Sequence, residues 1–407
     1  MQSMKFTPLF SAALASACGF ASSAAHAGAA SWDPSWAFSG FGTVGYVQTS
    51  TDDGLLAGPG QPSGAGKDGT FGVDSKLGAQ VNAKANNVFS GTVQVLSQRN
   101  GKGNFKPAVE WAFLKAQVTP GLSLRAGRIG DPLFMVSDFR SIGYSNLWLR
   151  TPLDVYGQVA FSHFDGADAI YQDTVGSTTL TSQVFFGNTN VVANGTPIHV
   201  KHQFGLNLTA EFDNGITLRA GRAQGKLSAD SASLDQLVGI LKTTPFAEVG
   251  NEISLDDKDA SFTGVGIAYD QGNWVGNFEY TKRKTKSYVS STTGWEATLG
   301  YRVGKFTPYA VVSQLKRDST NVNNTIPYAV PQLAPLAAAV DGLIATQNLA
   351  QKTDSVGLRW DAYKNLDVKV QYDHVKPASG AVGLFNRVRP GFGDAVSVYS
   401  VAVDFVF

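Results

Sequence analysis

Apolar and polar residues alternate along many short stretches of the chain, as they do in a strand whose two faces meet different surroundings. In 366–373, Leu366, Val368 and Val370 share one face of the predicted strand, and Asp367 and Lys369 share the other. The other stretches with this clear alternation are 73–84, 204–212, 295–303 and 355–362. The pattern predicts an all-β protein.

The connections between the predicted strands alternate between short and long. The short turns are 85–87, 119–121, 175–177, 213–215, 271–273, 304–305 and 364–365. The long connections are 48–69, 100–107, 130–165, 188–201, 226–260, 282–293, 317–354 and 375–394. A soluble sandwich also has alternating strands, but this asymmetry of connections is typical of a transmembrane up-and-down barrel. Both termini on the short-turn side predict an antiparallel β-barrel of sixteen strands, and fourteen or eighteen stay open because 109–118 and 158–174 alternate poorly.

The first 27 residues have the composition of a secretory signal peptide. Lys5 gives a positive start, 6–24 is apolar or small, and Ala25-His26-Ala27 forms a small-x-small end. We expect cleavage after Ala27, with Ala29 as the alternative, and a single domain over 28–407. The one cysteine, Cys18, lies in the removed segment.

Charge and hydropathy exclude two classes of protein. The chain has 33 basic and 32 acidic residues, so loss of Lys5 leaves 32 of each and no formal net charge. Nucleic-acid binding needs a basic excess and is not expected. The longest nearly apolar stretch, 333–349, contains Asp341 and Gln347, so a helical membrane span is not expected either. An exported soluble protein or a membrane β-barrel remains.

Aromatic residues and the C-terminus add to the barrel interpretation. Seven aromatic side chains lie next to the short turns and would form a girdle at one membrane interface: Phe89, Phe212, Tyr269, Trp274, Tyr301, Phe306 and Tyr363. The last strand places apolar residues at every second position: Tyr399, Val401, Val403, Phe405 and Phe407. This ending resembles the assembly signal of Gram-negative outer-membrane barrels, which the barrel-assembly machinery reads.

As a whole the mature chain resembles the Gram-negative diffusion porins. The resemblance implies an outer-membrane homotrimer, surrounded by lipid and lipopolysaccharide, whose barrels let small hydrophilic solutes diffuse through a water-filled channel. A substrate-selective porin for a sugar, an organic acid or an anion is the main alternative. An outer-membrane barrel enzyme or adhesin, and a soluble β-rich binding protein, are the others.

The resemblance also implies a long loop that folds into the barrel and narrows the pore. The corresponding segment is 129–165, whose candidate constriction residues are Asp131, Asp138 and Arg140. The segment also contains Arg150 and Asp154. It lacks the Pro-Glu-Phe-Gly run of the enterobacterial general porins.

A repeat within the sequence predicts basic residues on the pore wall. Residues 121–128 and 215–222 match closely, and if Leu122 and Leu124 face lipid then Arg125 faces the lumen, as does Arg219 in the second copy. A charge on the lipid face costs roughly 2–4 kcal/mol at mid-membrane. The candidate wall residues are Arg125, Arg128, Arg219, Arg302, Arg359 and Lys369. Each of them either contacts the solute or pairs with a carboxylate of the wall.

No nucleophile, base and acid set, phosphate loop or paired carboxylate motif is recognisable, so we expect no enzyme activity and no cofactor. His199 and His202 supply only two potential metal ligands, so no metal site is expected. The basic run 282–286 either binds lipopolysaccharide phosphates or forms a solvated loop. The long connections 226–260 and 317–354 either plug the channel or carry short helices.

Overall fold

A closed barrel of sixteen antiparallel strands dominates the computed structural model, which describes residues 34–407. The expected signal segment 1–27 lies outside the described residues. The barrel strands are β1 Ser35–Thr49, β2 Lys76–Lys84, β3 Phe89–Gln98, β4 Ala108–Gln117, β5 Leu122–Gly130, β6 His163–Val175, β7 Thr178–Ala193, β8 Thr196–Glu211, β9 Ile216–Ala229, β10 Lys258–Gln271, β11 Trp274–Thr285, β12 Ser291–Tyr301, β13 Phe306–Ser319, β14 Gln351–Tyr363, β15 Leu366–Pro377 and β16 Val396–Val406. The predicted fold and its count of sixteen strands are confirmed.

Pairing of the first and last strands closes the barrel. Gly40 and Phe407 exchange backbone hydrogen bonds of 2.8 and 2.9 Å. The ring of Phe407 covers Gly40, where an added Cβ would lie 2.2 Å from the ring, so a larger residue at this position would displace the ring. Closure leaves no strand edge with unpaired backbone groups, as a lipid environment demands.

All seven predicted short turns join strands at one end of the barrel, here called the short-turn end. The expected long connection 188–201 is wrong, because β7 continues to Ala193 and β8 starts at Thr196. Asn194 and Gly195 form a tight hairpin in which both residues have positive φ, 51° and 82°. Asn-Gly is a strong hairpin signal, and the polar composition around it concealed the two strands.

The outward surface of the barrel is apolar. Trp36, Phe38 and Leu114 are 65%, 75% and 73% exposed, and all seven aromatic residues predicted beside the short turns are exposed as well. A surface of this kind is stable against hydrocarbon rather than water. Among the described residues, no helix is long and apolar enough to span a membrane.

The connections at the opposite, long-loop end carry the helices. Residues 131–162, here called the inner loop, contain a 3₁₀ helix, Gly143–Ser145, and α1, Leu153–Tyr156. Residues 230–257 contain α2, Ala232–Lys242, and α3, Ala247–Ile253, and residues 320–350 contain α4, Ala334–Ala345. Residues 230–257 and 320–350 share one apolar cluster, in which Leu241, Ile253 and Val340 are fully buried. These two connections are together called the outer cap.

The first and last long connections are joined at the same end. Short strands Leu55–Leu56 and Phe385–Asn386 pair with each other, and Phe385 lies in an apolar cluster with Leu56. The long-loop end is therefore a surface built from several connections that contact one another.

Candidate functional site

The inner loop lies inside the barrel and runs from the long-loop end to the short-turn end. Trp148 donates its indole N–H to Thr298 Oγ1 at 2.7 Å, a wall residue of β12. Tyr144 donates its hydroxyl to the carbonyl oxygen of Lys364, in the turn between β14 and β15, at 2.6 Å. The loop thus covers the wall on the side of β11–β16.

Apolar side chains pack the inner loop against the wall. Phe134 lies 5.0 Å from Phe262 of β10 and 4.8 Å from Tyr156 of α1, measured between ring centroids. Val155, Tyr156 and Phe164 of β6 are fully buried in the same cluster. Side chains fill this part of the interior, so any water path must run beside the inner loop and not through the middle of an empty cylinder.

Two of the predicted wall cations hold the inner loop in place. Lys369 of β15 is fully buried, donates to the carbonyl oxygen of Gly143 at 2.7 Å and pairs with Asp404 at 2.9 Å. Arg359 of β14 donates to the carbonyl oxygens of Tyr144 and Asn146 at 2.8 and 3.0 Å. Both side chains face inward, but the loop covers them, which corrects the expectation that they line the open pore.

Arg150, which is not among the predicted site residues, forms a third anchor of the inner loop. It makes two hydrogen bonds with Asp74, of 2.8 and 2.6 Å, and an ion pair of 3.4 Å with Asp373 of β15. Its side chain is 8% exposed. The two carboxylates are 76 and 223 residues away in sequence, so no local pattern could have identified the cluster.

The candidate residues of the inner loop occupy different environments. Asp131 is 3% exposed and accepts a hydrogen bond from Gln203 of β8 at 2.6 Å. Burial raises the pKa of Asp131 to about 6. Arg140 donates to the carbonyl oxygen of Phe161 at 2.7 Å. Asp138 is exposed and borders the cavity described next.

A cavity of about 1380 Å³ lies between the inner loop and the wall of β2–β10, and several short turns border it. It is here called the vestibule. Four predicted site residues line it: Arg125, Asp138, Arg219 and Arg302. Two other lining side chains, Trp111 and Phe113 of β4, were missed because β4 alternates poorly.

The wall cations of the vestibule already have partners. Arg125 binds Asp168 of β6 through two nitrogens, with Nε 3.0 Å from Oδ1. Arg302 pairs with Asp270 at 2.7 Å, and Arg219 donates to the carbonyl oxygen of Pro132. The vestibule therefore presents hydrogen-bonding groups and paired charges to water.

Arg128 corrects the sequence prediction. It pairs across the sheet with Ala112 and shares the outward face of β5 with Leu124 and Ala126, because side chains alternate along a strand. Its partner is Asp165, at 2.8 Å on the same outward face. Arg128 does not line the vestibule.

Connections at the long-loop end meet above the vestibule wall. The backbone N–H of Asn194 donates to the carbonyl oxygen of Gly60 at 2.8 Å. The backbone N–H of Gly195 donates to the carbonyl oxygen of Gly101 at 2.7 Å. Gly60 follows β1, so its connection must reach across the mouth to meet the tip of the β7–β8 hairpin. These contacts cover part of the outer opening.

The residues of the predicted assembly signal lie on the outward face of β16. Tyr399, Val401 and Phe407 are 55%, 40% and 69% exposed. Val403 and Phe405 share that face by the two-residue period of the strand. Their part in assembly stays a prediction.

No protein-family model and no curated protein matches the sequence. Solved structures do match. The outer-membrane channel DcaP of Acinetobacter baumannii has a TM-score of 0.57 at 11% identity, covering 92% of this chain and 97% of that one. Salmonella typhi OmpF, in a complex with daunomycin, has a TM-score of 0.54 at 15% identity, with 91% and 97% covered. Pseudomonas putida OprB has a TM-score of 0.53 at 12% identity, with 91% and 94% covered. The fold is that of the outer-membrane porins, as the sequence resemblance predicted.

Proposed function

We propose that the protein is an outer-membrane porin through which small hydrophilic solutes diffuse passively, without catalysis. The observation that carries this proposal is the vestibule of about 1380 Å³ inside a barrel whose outward surface is apolar. Lipid outside and a polar cavity inside are the physical requirements of a diffusion channel. The short-turn end faces the periplasm in this proposal, and the leader 1–27 is removed on export.

Paired charges on the vestibule wall suit this role. Arg125 with Asp168 and Arg302 with Asp270 place fixed dipoles beside water. Such dipoles favour polar solutes over apolar ones and bind neither strongly, because each charge is already compensated. A solute can therefore enter and leave without a deep binding well.

Conductance in a planar lipid bilayer tests the proposal. The folded, purified protein should produce stepwise increases in current, and folding is checked by the mobility of the unheated sample on a gel. Well-folded protein that inserts but carries no current at any voltage would contradict it. Lipid or peptide hydrolysis by the same sample would favour a barrel enzyme instead.

We also propose a homotrimer, as the porin resemblance implies. The Arg128–Asp165 ion pair supports this, because it lies on the outward face beside Ala126 and Ala167. A charged pair facing lipid is costly, and a neighbouring copy would remove it from lipid. Arg128→Leu together with Asp165→Leu should change the proportion of trimer in native gels, whereas a monomeric wild-type protein would contradict the proposal.

A further proposed partner is lipopolysaccharide. Lys282 and Lys284 continue the outward face of Phe278 and Tyr280 on β11, directly beyond the apolar surface. Lipid phosphates lie at this height in a membrane, so the two ammonium groups are placed to meet them. Lys282→Gln with Lys284→Gln should reduce the lipopolysaccharide that co-purifies, and unchanged co-purification would contradict this.

A further inference from the structure

Four hydrogen-bonding side chains form a continuous row on the vestibule wall. Gln172 of β6 is the cross-strand partner of Thr181 of β7, which partners Thr209 of β8, which partners Arg219 of β9. All four line the vestibule. Neighbouring strands are about 4.8 Å apart, so the row presents an amide, two hydroxyls and a guanidinium at regular spacing.

An aromatic surface borders the same cavity. Trp111 and Phe113 of β4 both line it. The guanidinium of Arg125 lies 5.1 Å from the ring centre of Phe113 and covers one face of that ring. Because Arg125 occupies that face of Phe113, Trp111 is the aromatic side chain on which the C–H face of a polar ring can pack.

The charges around the vestibule favour no ionic solute. Its lining contains four basic side chains and five acidic ones: Arg125, Arg219, Arg302 and Lys364, and Asp138, Glu211, Asp213, Asp270 and Asp361. Three of these nine side chains, Arg125, Arg302 and Asp270, are held in the ion pairs Arg125–Asp168 and Arg302–Asp270. A strongly charged solute of either sign therefore meets repelling groups as well as attracting ones.

We infer that the vestibule binds a neutral, hydroxyl-rich solute of sugar or polyol type. The row of Gln172, Thr181 and Thr209 exchanges hydrogen bonds with hydroxyl groups, and Trp111 packs against the apolar face of the solute ring. The inference rests on the proposed channel function and adds its substrate class. The cavity volume is sufficient for a disaccharide.

Block of single-channel current tests the inference, with maltose as the neutral probe and gluconate and glucosamine as charged probes. Maltose should interrupt the current in a concentration-dependent manner and at lower concentration than either charged probe. Thr181→Val and Thr209→Val should each raise the half-blocking concentration about threefold to tenfold, the range for one lost hydrogen bond. Trp111→Leu should act in the same direction.

Ser182→Ala is the matched control, because Ser182 is adjacent to Thr181 but shares the outward face of β7 with Val184. It should leave the block unchanged. Thr209→Ser keeps the hydroxyl and should retain the block, which separates hydrogen bonding from a packing defect if a valine variant folds poorly. A conducting channel that maltose does not block, or that gluconate blocks as well, overturns the inference and leaves the channel proposal intact. A folded protein without conductance overturns the channel proposal itself.

Discussion

Lys369 donates a hydrogen bond to the carbonyl oxygen of Gly143 at 2.7 Å, and this contact joins the barrel wall to the inner loop. Asp404 pairs with the same ammonium at 2.9 Å, and an added Cβ on Gly143 would lie within 1.9 Å of Asp404 Oδ1. The close approach requires glycine at this position. The inner loop is therefore fixed to the wall by a buried charge rather than suspended in the lumen.

Loss of this buried charge should destabilise the barrel and loosen the loop. Lys369→Met leaves Asp404 buried without its cation, which typically costs about 3–5 kcal/mol. The urea midpoint of unfolding should fall and open-channel current noise should rise. Lys352→Met is the control, because Lys352 is exposed on β14. Equal stability of the two variants would rule out the anchoring role.

Ion selectivity should depend on Arg125 but not on Arg128. Arg125→Met removes a cation from the vestibule wall and leaves Asp168, which is 4% exposed, with Gln183 as a hydrogen-bond donor but without its cationic partner. The reversal potential in a KCl gradient should shift towards cation selectivity. Arg128→Met removes the same charge from the outward face and should leave the reversal potential unchanged. Equal shifts in both variants would place Arg128 in the pore after all.

The hairpin tip at Asn194 and Gly195 should restrict the outer mouth. Gly195 has φ of 82° and no atom within 4 Å of an added Cβ, so Gly195→Val acts through backbone strain of about 1–2 kcal/mol. This strain should disturb the contacts with Gly60 and Gly101 and raise the conductance. Gly176→Val, at φ of 64° in a short turn, creates the same strain at the other end. A matching rise in conductance for the Gly176 variant would refute the assignment.

Acidification should stabilise the packing of the inner loop against the barrel wall. Burial raises the pKa of Asp154 in α1 from 3.8 to about 6, and Ser313 donates to it at 2.8 Å. The folded state thus holds this proton more tightly than the unfolded state. Stability gained from Asp154 increases as pH falls from above 6 to about 4, by an amount on the order of 2 kcal/mol.

Asp154→Asn should reduce this pH dependence, as measured by urea midpoints at pH 7 and pH 5. Asp138→Asn provides the control, because Asp138 belongs to the same loop but is exposed. A wild-type protein that loses stability between pH 7 and pH 5 to the same extent as Asp154→Asn would contradict the prediction.

The barrel could be predicted because the alternation of apolar and polar residues is visible within each strand. Alternation and tight turns are set by neighbours in sequence, so the seven short turns and the strand count could be obtained without a structure. Arg128 was also predictable: it continues the outward period of Leu122, Leu124 and Ala126 on β5. The two-residue period of the strand, and not the charge of the side chain, decides which face Arg128 occupies.

The interior could not be predicted in the same way. The partners of Lys369 and Arg359 on the inner loop lie more than 200 residues away in sequence, as with the separation of 226 between Lys369 and Gly143. Alternation places both side chains inward but cannot say what covers them. Which inward charges face water depends on the path of the inner loop, and only tertiary structure defines that path.

The central claim is that solutes pass through the vestibule beside the inner loop, within a barrel that faces lipid. Thr209 lines the vestibule, and Leu208 beside it is 48% exposed on the outward face. The described chain contains no cysteine, since Cys18 precedes it, so Thr209→Cys and Leu208→Cys each introduce a unique thiol. During single-channel recording, a bulky water-soluble thiol reagent should lower the conductance of Thr209→Cys and leave that of Leu208→Cys unchanged. Conductance that is unaffected at Thr209→Cys, or that falls equally in both variants, would contradict the account.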